Sequence, residues 1–339
     1  MASNQVISDT VIQGDTISVD TIWDKGSSPY LVEGNITVAQ GVNLTIEAGC
    51  EIRFNGYYGL FIEGLLFAEG TSLDMIKFTS NRTLPALNDW RGVQINAQGN
   101  AIMRYCDITY SEFAVFLNES SENHIQDNKI SDNYDGIYLY RSSNNTILNN
   151  DISDSLQYGI FLSRSSNNDI RDNGLSGNWE GLRLFFSLRN NISNNDIQYN
   201  SEAGVHLYSS ESNNISQNTI LSNGNFGVRL RFTSNDNKIT KNNISFHIHG
   251  INLTSSSENW IYGNLFWVNS HQAYDDESGN VWEDIYPYGG NFWNDYNKSD
   301  YNKGPNQDQV GSDGIGDEPY LKIGGGFGAV DNYPLTTPP

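Results

Sequence analysis

Along most of the chain, apolar residues recur as pairs separated by one position, each pair preceded by a small residue. Aligned on that residue, the copies start at Gly92, Ala114, Gly136, Gly159, Gly181, Gly204, Gly227, Gly250 and Ala273, a period of 22 or 23 residues. The first and third residues after each start are apolar, as in Ile137 and Leu139, Leu182 and Leu184, or Val205 and Leu207. This period of two predicts a short strand with one buried face. Two further apolar columns follow, at Ile125, Ile147, Ile170, Ile192, Ile215 and Ile261, and at Ile130, Ile152, Leu175, Ile197, Ile220 and Phe266. In the copy that starts at Gly227 both columns drift by one position, to Ile239 and Ile244, which predicts a one-residue bulge.

Three short strands per coil, joined by turns too short for helices, predict an all-β solenoid, a parallel β-helix. One copy cannot bury its own strands; a stack at the sheet spacing can. Two polar columns run beside the turns. One reads Asn123, Asn145, Asn168, Asn190, Asn213, Asp236 and Asn259, the other Asn128, Asn150, Asn173, Asn195, Asn218 and Asn264. Asn tolerates left-handed backbone and bonds an identical neighbour above and below, so these columns are structural. The pattern divides the chain into an N-terminal cap (1–29), the helix itself (30–272) and an aromatic, Gly-rich C-terminal cap (273–339) containing "GGNFWNDY", "GSDGIGDEPY" and "DNYPL".

Composition adds limits. Charged residues are only 17% of the chain and aromatics 12%, which excludes a disordered polyelectrolyte. A net charge of −21 opposes binding to nucleic acid. No apolar run approaches the roughly 18 residues that cross a bilayer, so membrane insertion is not expected. The opening "MASNQVISDT" has no basic or apolar leader region and reads as the start of a mature chain. Cys50 and Cys106 are the only cysteines, which points to two buried thiols rather than a disulfide framework. Sequons beginning at Asn35, Asn43, Asn81, Asn118 and Asn144 permit glycosylation without establishing it.

The segments "GNITVAQGVNLTIEAGCEIRF" and "DWRGVQI", the coils of the form "GI.L..SSNN.I..N.IS" and the tail resemble secreted right-handed parallel β-helix proteins. These form the NosD-like, carbohydrate-binding-and-hydrolase group, in its archaeal form. The resemblance covers nearly the whole chain and implies the fold and an extracellular or cell-surface location. It does not choose an activity, because the group includes polysaccharide lyases, epimerases, hydrolases, surface proteins and a copper-delivery factor.

Candidate chemistry lies where the copies differ. On the first strand and its end stand Tyr138, Tyr140, Arg141, Phe161, Arg164, Arg183, Phe185, His206, Tyr208, Arg229 and Arg231. Aromatic rings stack on sugar faces and guanidinium groups fork onto carboxylates, so the strip reads as a track for an extended, acidic extracellular glycan. A polysaccharide lyase or uronate epimerase would use His206 and Tyr208 with Arg183 and Arg229 as catalytic candidates: a base near C5 and neutralisation of the sugar carboxylate. A glycoside hydrolase would draw on paired carboxyls, for which Asp135, Glu180 and Glu202 are placed just before the strand. A non-catalytic rod, self-associating through lateral contacts, is the third reading. Copper handling is disfavoured, because the His residues are scattered and Met is scarce. In the tail, Asp308, Asp313 and Asp317 surround a Gly-rich turn and offer hard oxygen ligands for a structural Ca²⁺; no other cofactor is expected.

Overall fold

A computed structural model describes residues 9–339; residues 1–8, which hold most of the expected mature start, lie outside it. The chain divides into two compact units, one ending at Phe161 and one spanning Leu162–Pro339. Each is a parallel β-solenoid whose coils contribute one short strand to each of three sheets. In the first unit, for example, Glu51–Phe54, Gly59–Ile62 and Leu65–Glu69 pair in parallel with Ile76–Ser80, Trp90–Ile95 and Asn100–Arg104 one coil on. A coil already forms at Thr10–Ile12, Thr16–Ile17 and Thr21–Trp23, so solenoid structure begins inside the segment assigned to the N-terminal cap.

The apolar columns fill the interior. In the second unit Ile192, Ile215, Ile239 and Ile261 lie in direct register and are fully buried. Each such side chain contributes about 1.5–3 kcal/mol by leaving water. Cys50 and Cys106 are buried free thiols, as expected, and burial holds both above the usual thiol range. Glycine at the coil starts answers to space. A Cβ on Gly204 would come within 2.6 Å of Ile220 Cγ2 and 2.8 Å of the Gly227 carbonyl.

Three register expectations need correction. The drift at Ile239 and Ile244 is no strand bulge, because both residues stay in their columns. The extra residue is taken up in the preceding turn, where Phe232 and Thr233 both adopt left-handed backbone (φ 52° and 58°). For the same reason the ladder member is Asn237, not Asp236, which is exposed. The last start is displaced too: Ala273 pairs with Ile251, one position beyond the small-residue row.

The Asn columns are buried hydrogen-bond ladders. Asn195 Oδ1 accepts from both the backbone N–H and the Nδ2 of Asn173, while Asn195 Nδ2 donates to Ile170 O and Asn218 Oδ1. These amide groups thereby find their partners within the protein. Sequence reading missed a third ladder, which includes Asn178, Asn200 and Asn223 and then continues through His247 to Asn269. In the C-terminal segment Trp293 pairs with Phe266 at the end of one apolar column, and Tyr320 stacks on Trp293 at 4.2 Å. The buried Asp331 carboxylate accepts from Asn291 N–H and Trp293 Nε1, both at 2.8 Å, and ties the "DNYPL" motif to "GGNFWNDY".

Candidate functional site

The first-sheet strands of the second unit are Glu180–Phe185, Ala203–Tyr208, Phe226–Arg231, His249–Thr254 and His271–Asp275. Parallel pairing places residues one coil apart side by side in rows. One row runs Arg183, His206, Arg229, Asn252 and Tyr274; a second runs Phe185, Tyr208, Arg231 and Thr254. Arg183 and Arg229 therefore flank His206 as the sequence spacing implies. A third row, Glu180, Ala203, Phe226, His249 and His271, includes aromatic and His groups that sequence reading passed over.

His206 is not displayed to solvent on the strip. It is 3% exposed, and Glu180 beside it is 1% exposed. His206 Nδ1 lies 2.7 Å from Glu180 Oε1, and Arg183 NH1 lies 3.1 Å from Glu180 Oε2. Glu180 thus fixes both the imidazole and the guanidinium. His206 Nε2 is buried without a hydrogen-bond partner. One coil on, Arg229 pairs with Glu202 at 3.5 Å and lies 4.2 Å over the Phe226 ring. Burial first, and the neighbouring Arg231 second, hold the Arg229 guanidinium below its usual range, and its Nε also lacks a partner. Arg231 lies 4.8 Å from the Phe232 ring centre and forms no ion pair among the described residues. Phe185, Phe186, Tyr208 and Phe232 make a tilted aromatic cluster beside it, with Phe186 and Phe232 each 45% exposed.

Other predicted residues are placed differently. In the first unit Tyr138 is stacked between Phe116 at 4.9 Å and Phe161 at 4.8 Å, so both of its faces are used inside the protein. Arg141 and Arg164 sit at left-handed corners just past their strands (φ 49° and 53°) rather than on the strand face. Arg141 pairs with Glu119 at 2.9 Å and lies over the Tyr140 ring. Asp135 is buried, accepts the Tyr158 N–H and is pushed up to about 7 by burial. It stands in the first unit, whereas Glu180 and Glu202 are in the second, each engaged by an arginine. The role of Glu180 escaped the sequence because its partner His206 is 26 residues away. One signal was present: an acidic residue directly before a start glycine.

In the tail, Asp313 accepts backbone N–H groups from Gly304 and Ile315, and Asp317 from Tyr301 and Asn302. Both carboxylates are committed to closing turns. Asp308 is exposed, and among the described residues no three His, Cys, Asp or Glu side chains form a group that could hold a metal ion. Asp308, Asp313 and Asp317 are thus not gathered into one such group.

Comparison with known proteins follows the same lines. The model of the family described as "Periplasmic copper-binding protein (NosD)" matches residues 1–156 and 133–298. Among solved structures, a point mutant of a periplasmic alginate epimerase superposes with a TM-score of 0.53 at 20% identity, covering 71% of this chain and 62% of its own. The Dettilon tailspike protein gives 0.50 at 17% identity, covering 70% and 60%. A DFA-IIIase from Arthrobacter chlorophenolicus A6, in complex with DFA-III, gives 0.54 at 12%, covering 75% and 74%. These likenesses show the fold. The chain spans about three fifths of the epimerase's length. A curated relative, "Protein bark beetle" of Drosophila melanogaster, is 42% identical over 71 residues, which are 21% of this chain and 2% of that protein. The copper in the family description finds no fitting donor set among the described residues. His247 is built into an Asn ladder, His249 and His271 stack on each other at 4.9 Å, and both thiols are buried. Among the described residues, no helix is long and apolar enough to cross a membrane.

Proposed function

The chain belongs to the NosD family, and from that premise we propose that it works outside the cytoplasm, binding an anionic polysaccharide along the first-sheet face of its second unit. One observation carries this reading. In a chain of net charge −21, Arg183, Arg229 and Arg231 are gathered on neighbouring coils, and buried polar atoms of His206 and Arg229 in the same cluster lack partners. A carboxylate-bearing sugar supplies acceptors for the guanidinium groups, and the exposed rings of Phe186 and Phe232 offer faces for its apolar side. The solved structures with the same fold include an alginate epimerase and a DFA-IIIase bound to DFA-III, which agrees with a glycan ligand.

A second reading, that the site also turns over a uronate, is favoured by the Glu180 to His206 contact. With Nδ1 held by the carboxylate, Nε2 carries the free lone pair, and a local opening that uncovers it lets it take the C5 proton while the arginines neutralise the sugar carboxylate. Elimination then breaks the C4–O bond, the departing oxygen taking a proton from water, and forms the C4–C5 double bond; epimerisation instead returns a proton from water to the opposite face of C5.

Binding and turnover of polymannuronate and polygalacturonate test both readings. Arg183→Ala with Arg229→Ala is expected to weaken binding by about tenfold or more, and unchanged affinity would overturn the binding site. For catalysis, His206→Gln is expected to lower turnover by about 10²–10⁴-fold. Wild-type protein that binds a uronate polymer but leaves it unaltered, by product absorbance and by NMR of C5 configuration, would exclude the second reading alone.

A further inference from the structure

A cavity of about 760 Å³ lies on a different sheet of the second unit from the strip described above. Its floor is made by the second-sheet strands Asn214–Ser216, Lys238–Thr240 and Trp260–Tyr262, and its wall by Asp284, Tyr288 and Leu335 of the C-terminal segment. Register puts Ser216, Thr240 and Tyr262 side by side across three coils. Lys238 Nζ lies 5.4 Å from the centre of the Tyr262 ring, and Lys241 follows at the next turn. Neither lysine forms an ion pair among the described residues, whereas Lys25, Lys298 and Lys322 each have a carboxylate partner. Asp284 is the one acidic lining residue, and its Oδ1 accepts the Ile285 N–H at 2.8 Å.

Lys238 and Lys241, both exposed, bring two ammonium groups into one cleft of a chain with 40 Asp and Glu residues. Here they converge with a phenol ring on the floor, a second on the wall (Tyr288, 71% exposed) and the polar side chains of Asn214, Ser216 and Gln217. Ammonium groups take a carboxylate or sulfate as a point charge, aromatic rings take the apolar face of a sugar, and hydroxyl and amide groups meet its hydroxyls. We infer that this cleft is a second glycan site, for a saccharide bearing a carboxylate or sulfate group, built jointly by the coil and the C-terminal segment. It takes its ligand class from the proposed function but none of its residues. With one site on each of two sheets, a single molecule holds two glycan segments and cross-links a polymer.

Titration calorimetry on the full chain at low salt tests this, using a short oligouronate, a sulfated oligosaccharide and a neutral oligosaccharide as probes. Wild type is expected to take two equivalents of at least one anionic probe and none of the neutral one. Lys238→Gln with Lys241→Gln is expected to leave one equivalent, and so is Arg183→Ala with Arg229→Ala. Tyr288→Ala, on the exposed wall, should weaken the same equivalent that the lysine variant removes, which reads the cleft without altering the coil. One equivalent in wild type, untouched by the lysine and tyrosine variants, overturns the cleft and leaves the strip standing. One equivalent lost in the lysine variant but kept in the arginine variant supports the cleft and overturns the strip. No binding of either anionic probe overturns both.

Discussion

His247 shows how one residue carries a ladder and a pH response together. Its Nε2 accepts from Asn223 Nδ2 at 3.2 Å while Nδ1 donates to Asn269 Oδ1 at 3.0 Å, so the neutral ring repeats the accept-and-donate pattern of an Asn. Protonation would turn the acceptor into a second donor facing an amide N–H. Burial accordingly lowers this group to about 4 from the usual 6.5. The unfolded chain takes up a proton near 6.5 that the folded ladder refuses until about 4. Stability from this group is thus complete above 6.5 and lost between 6.5 and 4, at a cost of about 3 kcal/mol. Asp135 and Asp331, both raised to about 7 by burial, act in the opposite sense over the same range, so denaturant melts from pH 7 to 4 should show the His247 loss as a difference between wild type and His247→Asn; identical profiles would exclude the ladder role. Glu180 presents the corresponding case at the candidate site. Glu180→Gln keeps the size but removes the charge shared by His206 and Arg183, and is expected to shift the pH profile of any turnover as well as its rate.

At the scale of the coil, the corner ladders matter as much as the apolar columns. Asn195→Ala would delete an acceptor used twice by Asn173 and leave Ile170 O short of a donor in a dry corner. A loss of about 3 kcal/mol or more follows, since buried groups left unmatched cost about 1–3 kcal/mol each. Asn306→Ala, exposed in the tail, should stay within about 0.5 kcal/mol. Thermal or urea melts of the two variants compare these directly, and similar small effects would mean that the ladders are incidental. The sequence announced two of these ladders through their spacing. It misplaced a member at Asp236, and it hid the third ladder, where His247 interrupts the run of Asn. Spacing reports the turn, whereas the structure decides which of two adjacent polar residues points inward.

For the molecule as a whole, charge is the lever that separates specific from incidental association. Arg183, Arg229 and Arg231 stand out against a net −21, so anionic glycan binding should be severalfold weaker at about 1 M salt, where the Debye length is about 3 Å, than at about 0.01 M, where it is about 30 Å. Salt-independent binding would point to stacking alone. Calcium gives a second whole-molecule check. With Asp313 and Asp317 occupied by backbone N–H groups, the melting temperature should be the same in excess calcium and in chelator. A rise with calcium would show that the tail rearranges around the ion.

The chain announced its architecture because a solenoid repeats one local solution. From Gly92 on, each coil needs a similar start, the same three apolar columns and the same corner amides, so the repeat of 22 or 23 residues with its columns predicted three strands per coil, three sheets and the core of that part. The candidate site was only half legible. Register placed Arg183, His206 and Arg229 together, but nothing local told that His206 is buried against Glu180 or that Tyr138 uses both faces on its neighbours. Those facts depend on side chains one coil apart, whose approach is set by stacking rather than by sequence neighbours. The cleft under Tyr288 lay further still from view, because an irregular segment makes its wall and no repeat governs where that segment folds.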